Sequence, residues 1–289
     1  MGKWIHLSVC GSWATINIKD LIFTSIIILP WIASVFLPHP FCWVIRCLSL
    51  FFLWYEPAQL VFPSNIITSL LLRGQPPVFS DRDKNRLFPN CSLFEGNQFQ
   101  TIKDELTRIS HESIPLTRDA LPNQNYIGSE SKWRLLPIKT VGKVHEKNAA
   151  QVPTLMSIIQ RCPEVATVFY SKLEGGSHIP SHAGYLKGVL RYHLGIEIPE
   201  PEKCWIKVDQ MTVHWDEGES ILFDDMYLHS VTHQGTKIRS ILWLDIVRND
   251  LDFCPLWKWW TKQLITIISK SHWMQQANAR TEQVHRIIK

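Results

Sequence analysis

Arg191 and His193 stand two residues apart in the apolar run VLRYHLGIE at 189–197. On a strand that spacing places both side chains on one face, with Leu190, Tyr192 and Leu194 on the other. A guanidinium and an imidazole on such a face are costly to bury unless something compensates them. A bound dicarboxylate would do so, and so would an internal Asp. Arg239 raises the same question where it enters the long apolar run KIRSILWLDIV at 237–247. A guanidinium there suits a bidentate carboxylate contact deep in a barrel. His178 and His182 follow the Gly175-Gly176 turn in YSKLEGGSHIPSHAG at 170–184, and His229 ends SILFDDMYLH at 220–229. Neutral imidazoles are frequent metal ligands. No single histidine carries the argument; the set of positions does.

The elements that must hold these residues are short. From about residue 165 onward, apolar runs separated by turns predict an all-β sandwich or barrel. CWIKV (204–208) and MTVHW (211–215) read as a hairpin around Asp209-Gln210, followed by a turn at Asp216-Glu217-Gly218-Glu219. Upstream, Phe99, Ile102, Leu106 and Ile109 recur at helical spacing over 98–112, and Leu155, Ile158 and Ile159 share one side of 152–162.

A chain of 289 residues allows one domain of ordinary size and something more. Hydrophobic residues make up 45%, enough for a core and against wholesale disorder. The net charge of +4 is too balanced to argue for nucleic acid as a partner. The seven cysteines are irregularly spaced with no CxxC pair, which argues against a structural zinc site and a disulfide framework, and for free thiols.

The surplus is apolar. LIFTSIIILPWIASVFL (21–37) carries no charge and FCWVIRCLSLFFLWY (41–55) carries only Arg46. A spanning helix needs about 20 apolar residues, so 21–56 is expected to anchor the chain in a lipid bilayer by one or two passes. Residues 1–20 then form an N-terminal tail, 57–87 a linker that is polar and proline-containing over 74–87, 88–250 the main domain, and 251–289 a Trp-rich C-terminal segment. In that last segment Trp257, Trp260, Leu264, Ile267 and Ile268 form one helical stripe, with Lys258, Lys262 and Lys270 around it. Such a helix either lies in a membrane interface or packs on the barrel. The side of the membrane is open. Arg73, Arg82, Lys84 and Arg86 favour a cytoplasmic domain, whereas the sequon Asn90-Cys91-Ser92 is usable only in a lumenal one.

The stretch from Ser171 to Arg248 resembles the aspartyl/asparaginyl β-hydroxylase family of Fe(II)/2-oxoglutarate dioxygenases. The pieces that carry the resemblance are Ser171, His182 and Gly184 in S-x10-H-x-G; LRYHLG at 190–195; W-x-E-G-E at 215–219; F-D-D-x-Y-x-H at 223–229; and IRSILWLD at 238–245. The spacing from His229 to Arg239 also matches. The resemblance implies a mainly β fold, a double-stranded β-helix of the jelly-roll, cupin-like kind with preceding helices. It implies Fe(II) held by His182 and His229, with 2-oxoglutarate and O2 as cosubstrates. Ser171, Arg191, Tyr192, His193 and Arg239 are then cosubstrate-binding positions. The wider superfamily adds a carboxylate two residues after the first His; here that position is Gly184, as in the β-hydroxylase branch, where water takes the place. Asp224 and Asp225 are rival ligands. LRYHLG, CWIKVD and FDDMYLHS after a hydrophobic anchor also resemble membrane-bound lipid A acyl-chain 2-hydroxylases, so the implied substrate is either a protein Asp/Asn side chain or a lipid acyl chain. A non-catalytic cupin-like binding protein at a membrane is the alternative.

Overall fold

Alternation of inward and outward side chains along eight consecutive strands builds the centre of the molecule. The computed structural model describes residues 4–9, 12–17, 25, 29, 32–36, 43–48, 50, 60–117, 132–272 and 274–279. In chain order these form a hairpin of β1 (Trp4–Val9) and β2 (Ser12–Asn17), then α1 (Val61–Leu71), α2 (Asp81–Leu87), α3 (Phe99–Thr107), β3 (Trp133–Thr140), β4 (Lys143–Val144) and α4 (Pro153–Gln160). The barrel strands follow: β5 (Val165–Leu173), β6 (His178–His182), β7 (Val189–Glu197), β8 (Cys204–Val208), β9 (Met211–His214), β10 (Ser220–Phe223), β11 (His229–His233) and β12 (Arg239–Val247). Helix α5 (Pro255–Ser269) closes the series.

Two sheets result, ordered β10-β7-β12-β5-β3-β4 and β6-β11-β8-β9. From β5 to β12 the chain passes between them in jelly-roll order, with every ladder antiparallel. The mainly β expectation holds. One face of the larger sheet packs Tyr170, Tyr192, Leu194 and Leu244 against Ile102 and Leu106 of α3 and Leu155 and Ile158 of α4. The other face packs Phe169, Ile241 and Trp243 against Ile206, Val208 and Val231 of the smaller sheet. Each strand thus feeds two cores by its period of two. Asp209 turns the β8–β9 hairpin with φ +53, in the left-handed region that Asp tolerates better than most residues. Cys47, Cys91, Cys162, Cys204 and Cys254 are free thiols.

Several boundaries differ from expectation. The linker expected over 57–87 carries α1 and α2. Ser80 caps α2 by accepting from the Asp83 amide, and Leu87 is buried. Composition suggested a linker because the buried contacts of α2 are made partly by Lys84, which donates to Ser220 and pairs with Glu95. Asn90 donates to Glu164, so Lys84 and Asn90, two of the residues that bore on sidedness, are engaged in the fold. The stretch 1–20, expected as a tail, includes the β1–β2 hairpin. No helix among the described residues is long and apolar enough to cross a membrane, and most of 21–56 lies outside the described residues.

The C-terminal stripe faces the protein. Leu264, Ile265 and Ile268 are buried against Val61, Leu186, Val189 and Val247. Trp257 Nε1 donates to Thr68 and Trp260 Nε1 to Ser64, each at 2.9 Å, which ties α5 to α1. Helical periodicity revealed the stripe but not which surface it meets. Removing a buried leucine costs about 2–5 kcal/mol. Leu264→Ala is therefore expected to lower unfolding free energy by about that amount in a denaturant titration; unchanged stability would show that α5 does not pack here.

Candidate active site

Strand register assembles the site. On β12 the positions 239, 241, 243 and 245 share the inner face. Across the β12–β7 ladder Trp243 faces His193 and Asp245 faces Arg191; on the other side Ile241 faces Ser171. In the smaller sheet His182 of β6 and His229 of β11 are direct partners. All of Ser171, His182, Arg191, His193, His229 and Arg239 therefore reach the space between the sheets.

The two imidazoles lie with ring centroids 4.2 Å apart. His182 Nδ1 is 2.8 Å from the Pro180 carbonyl and His229 Nδ1 is 2.9 Å from the Tyr227 carbonyl. A carbonyl only accepts, so each Nδ1 carries the proton and each Nε2 presents its lone pair. Burial holds the His182 pKa down to about 4 and pushes His229 well below the ordinary value, so both rings are neutral at physiological pH. Neutral, tautomer-fixed imidazoles are what a divalent transition metal binds.

A cationic pocket adjoins them. Arg239 is 2% exposed, its guanidinium lies 4.3 Å from the centre of the Trp215 ring, and its Nε and Nη1 have no hydrogen-bond partner. Both ring nitrogens of His193 and Nε1 of Trp215 are likewise buried without partners. Burial pushes the Arg239 pKa down, and burial with the charges of Arg191 and Arg239 pushes that of His193 well down. Ser171 accepts from Trp133 Nε1 at 2.9 Å, which leaves its own hydroxyl hydrogen to donate. Trp133 stacks on Trp243, with centroids 6.3 Å apart, as a wall of the same space.

Arg191 is differently placed. Its guanidinium sits 4.1 Å from the centre of the Trp243 ring and pairs with Asp225 at 2.7 Å and Asp245 at 3.0 Å. The internal-Asp solution thus holds for Arg191, and Arg239 is the cation that meets no carboxylate. Tyr192 is not brought to this site. It points to the opposite core and donates to Glu95 at 2.9 Å, as alternation along β7 requires.

The rival carboxylates separate cleanly. Asp224 is fully buried between Lys187 at 2.5 Å and Arg248 at 2.6 Å, and those cations hold its carboxyl below the ordinary range despite burial. Asp225 lies over Gly184: a Cβ at Gly184 would fall 2.0 Å from Asp225 Oδ2, and the Gly184 amide donates to the Asp225 carbonyl at 2.6 Å. The carboxylate missing from position 184 is thus replaced in space by one from the opposite loop, directed at Arg191. Burial raises the Asp225 pKa to about 7. Among the described residues no group of three or more His, Cys, Asp or Glu side chains could hold a metal ion, so the protein offers a pair of imidazoles. His178 is exposed and contacts Thr232 instead. Trp133, Trp215, Trp243 and Asp245 are site residues that strand patterning missed. The signal for Trp215 lay in the W-x-E-G-E piece, where its place was noted without a role.

The family model for aspartyl/asparaginyl beta-hydroxylase matches residues 96–249, more than half of the chain and the whole of this site. The chain belongs to that family. It is 32% identical over 178 residues to the ornithine lipid ester-linked acyl 2-hydroxylase of Rhizobium tropici, covering 61% of this chain and 62% of that protein. Human aspartyl/asparaginyl beta-hydroxylase is 27% identical over 136 residues, covering 45% of this chain and 18% of that one. The matches therefore span less than two thirds of either relative. Among solved structures, the cupin domain of Schizosaccharomyces pombe Cnp3 aligns with a TM-score of 0.29 and 9% identity over 42% of this chain and 68% of that one. A likeness of that size adds nothing to what the strand order shows.

The Lys187–Asp224–Arg248 cluster fixes the loop that carries Asp225. Breaking a buried ionic group costs about 3–5 kcal/mol. Asp224→Asn is expected to reduce unfolding free energy by about that amount, as read from the shift of the urea midpoint; a shift within error would deny the cluster its structural role.

Proposed function

We propose that this hydroxylase-family protein is an Fe(II)- and 2-oxoglutarate-dependent dioxygenase that hydroxylates an unactivated carbon in the acyl chain of a membrane lipid. The observation that supports the chemistry most directly is the adjacency of two neutral imidazoles to buried, unpartnered donors on Arg239, His193 and Trp215. An unsatisfied guanidinium in a protein interior costs several kcal/mol, and a carboxylate ligand relieves it. The residues fit the cosubstrate and metal: His182 and His229 would hold Fe(II) through Nε2, and Arg239 with Ser171 would anchor the distal carboxylate of 2-oxoglutarate. His193 and Trp215 supply further donors beside it. When bound, Fe(II) supplies O2 chemistry that couples oxidation of 2-oxoglutarate to succinate and CO2 with insertion of one oxygen into a C–H bond.

The chain's own contribution is positioning. Arg191 pairs with Asp225 and Asp245, which fixes the Asp225 carboxylate over Gly184, two residues from His182. Trp133, Trp215 and Trp243 wall the pocket and exclude water. Identity to the ornithine lipid hydroxylase over more of this chain than to the protein hydroxylase favours an acyl chain as substrate over a protein Asp or Asn side chain. The apolar segment at 21–56 supports localisation at a membrane.

His182→Ala and His229→Ala are each expected to abolish iron binding and lipid-dependent succinate formation. Retained turnover in either variant would remove the metal assignment, and absence of turnover in the iron-loaded wild type would favour a non-catalytic binding protein. Arg239→Ala should raise the KM for 2-oxoglutarate about 10- to 150-fold, the equivalent of a charge-assisted hydrogen bond worth about 1.5–3 kcal/mol. Iron affinity should change far less. Tyr192→Phe should leave that KM unchanged, because its hydroxyl lies on the far side of the sheet; a large rise would return Tyr192 to the cosubstrate.

A further inference from the structure

Beyond Val61, which joins the core at its first turn, helix α1 is inside out. Its buried side carries Ser64, Asn65, Thr68 and Ser69, while Ile67 and Leu70 are 42% and 49% exposed, with Ile66 and Leu71 half-buried beside them. A helix on a water-facing surface shows the reverse pattern. Three of those four polar side chains have partners: Ser64 and Thr68 accept from Trp260 and Trp257 of α5, and Asn65 spans to the loop after His182, while the Ser69 hydroxyl is buried without one. On α5, which those two tryptophan hydrogen bonds hold against α1, Leu256 is 74% and Trp259 56% exposed, as is Phe253 at 63% just before it. At 3.6 residues per turn, Leu256, Trp259, Lys262, Thr266 and Lys270 form one exposed stripe. Its first half is apolar and its second half carries two exposed lysines.

We infer that the apolar faces of α1 and α5 together are the surface that seats the catalytic domain on an anionic lipid bilayer. The inference deepens the proposed function, since it says how an acyl chain reaches the site. The bilayer is favoured as occupant by two features. Trp and Phe beside Leu and Ile suit the acyl–headgroup boundary, and Lys262, Lys270 and Arg73 complement anionic headgroups. The chain also enters α1 from an apolar segment in which Trp43, Val44 and Leu48 are exposed. Asn65 ties this seat to the mouth of the site. Its amide donates to the Tyr185 carbonyl at 2.9 Å, and its carbonyl oxygen accepts from the Lys187 amide at 2.8 Å. Tyr185, 41% exposed, follows Gly184 directly, three residues after His182.

The test places a benzophenone side chain at position 70, 256 or 259 of the full chain, with exposed position 212 of the β8–β9 hairpin as control. Each protein is reconstituted in phosphatidylcholine vesicles containing phosphatidylglycerol and irradiated. Phospholipid adducts at least tenfold above the control at all three positions are expected. Lys262→Glu combined with Lys270→Glu should lower that yield several-fold. Adducts no greater than the control would overturn the inference, as would crosslinks joining two copies of the chain. An unchanged yield in the charge-reversed protein would overturn the headgroup role. Succinate formation is followed in the same samples: lipid adducts without turnover would count against the proposed activity and leave the seat standing.

Discussion

A guanidinium buried without a counter-charge is the constraint around which the barrel is organised. Arg239 stands at the entry of β12, covered by the Trp215 ring, with two of its nitrogens unpartnered. Every other buried cation named above has a carboxylate: Lys84 has Glu95, Lys187 and Arg248 share Asp224, and Arg191 has Asp225 and Asp245. A fold that satisfies those four and leaves the fifth open offers a place that an anion would fill. The neighbours agree, since His193 and Trp215 offer donors and no acceptor that Arg239 reaches. Antiparallel register sets that pocket beside the His182–His229 pair, on strands rather than loops.

Two adjacent aspartates divide the remaining electrostatic work. Asp224 locks three segments together through Lys187 and Arg248 and is spent on structure. Asp225 is aimed inward and occupies the volume that any side chain at position 184 would need. Glycine at 184 and aspartate at 225 are thus one feature, a close approach of two loops that only an absent Cβ permits. The carboxylate so placed belongs to Arg191 in the protein alone.

Much of this was legible from spacing. The period of two placed Arg191 and His193 together and set Tyr192 apart, and the register confirms that separation against the motif-level expectation that grouped all three. Helices over 98–112 and 152–162 appear with their apolar faces buried. What spacing did not convey were partners distant in sequence. Asp245 as the neutraliser of Arg191, Trp133 as the support of Ser171, and Ser64 and Thr68 as acceptors for tryptophans of α5 all require tertiary contacts that one strand or helix cannot encode. The reading of 57–87 as a linker failed for a related reason: α1 buries hydroxyls and an amide, so its apolar pattern points away from the core.

The central claim is that the Arg239 pocket and the imidazole pair form one composite site for a 2-oxoacid and a metal. Anaerobic titration calorimetry of 2-oxoglutarate into the full-length protein, with and without Fe(II), tests it most directly. The account predicts one 2-oxoglutarate per chain, bound more tightly when Fe(II) is present and with the gain lost in His182→Ala. Failure of 2-oxoglutarate to bind in the presence of Fe(II), or binding indifferent to the metal, would contradict it.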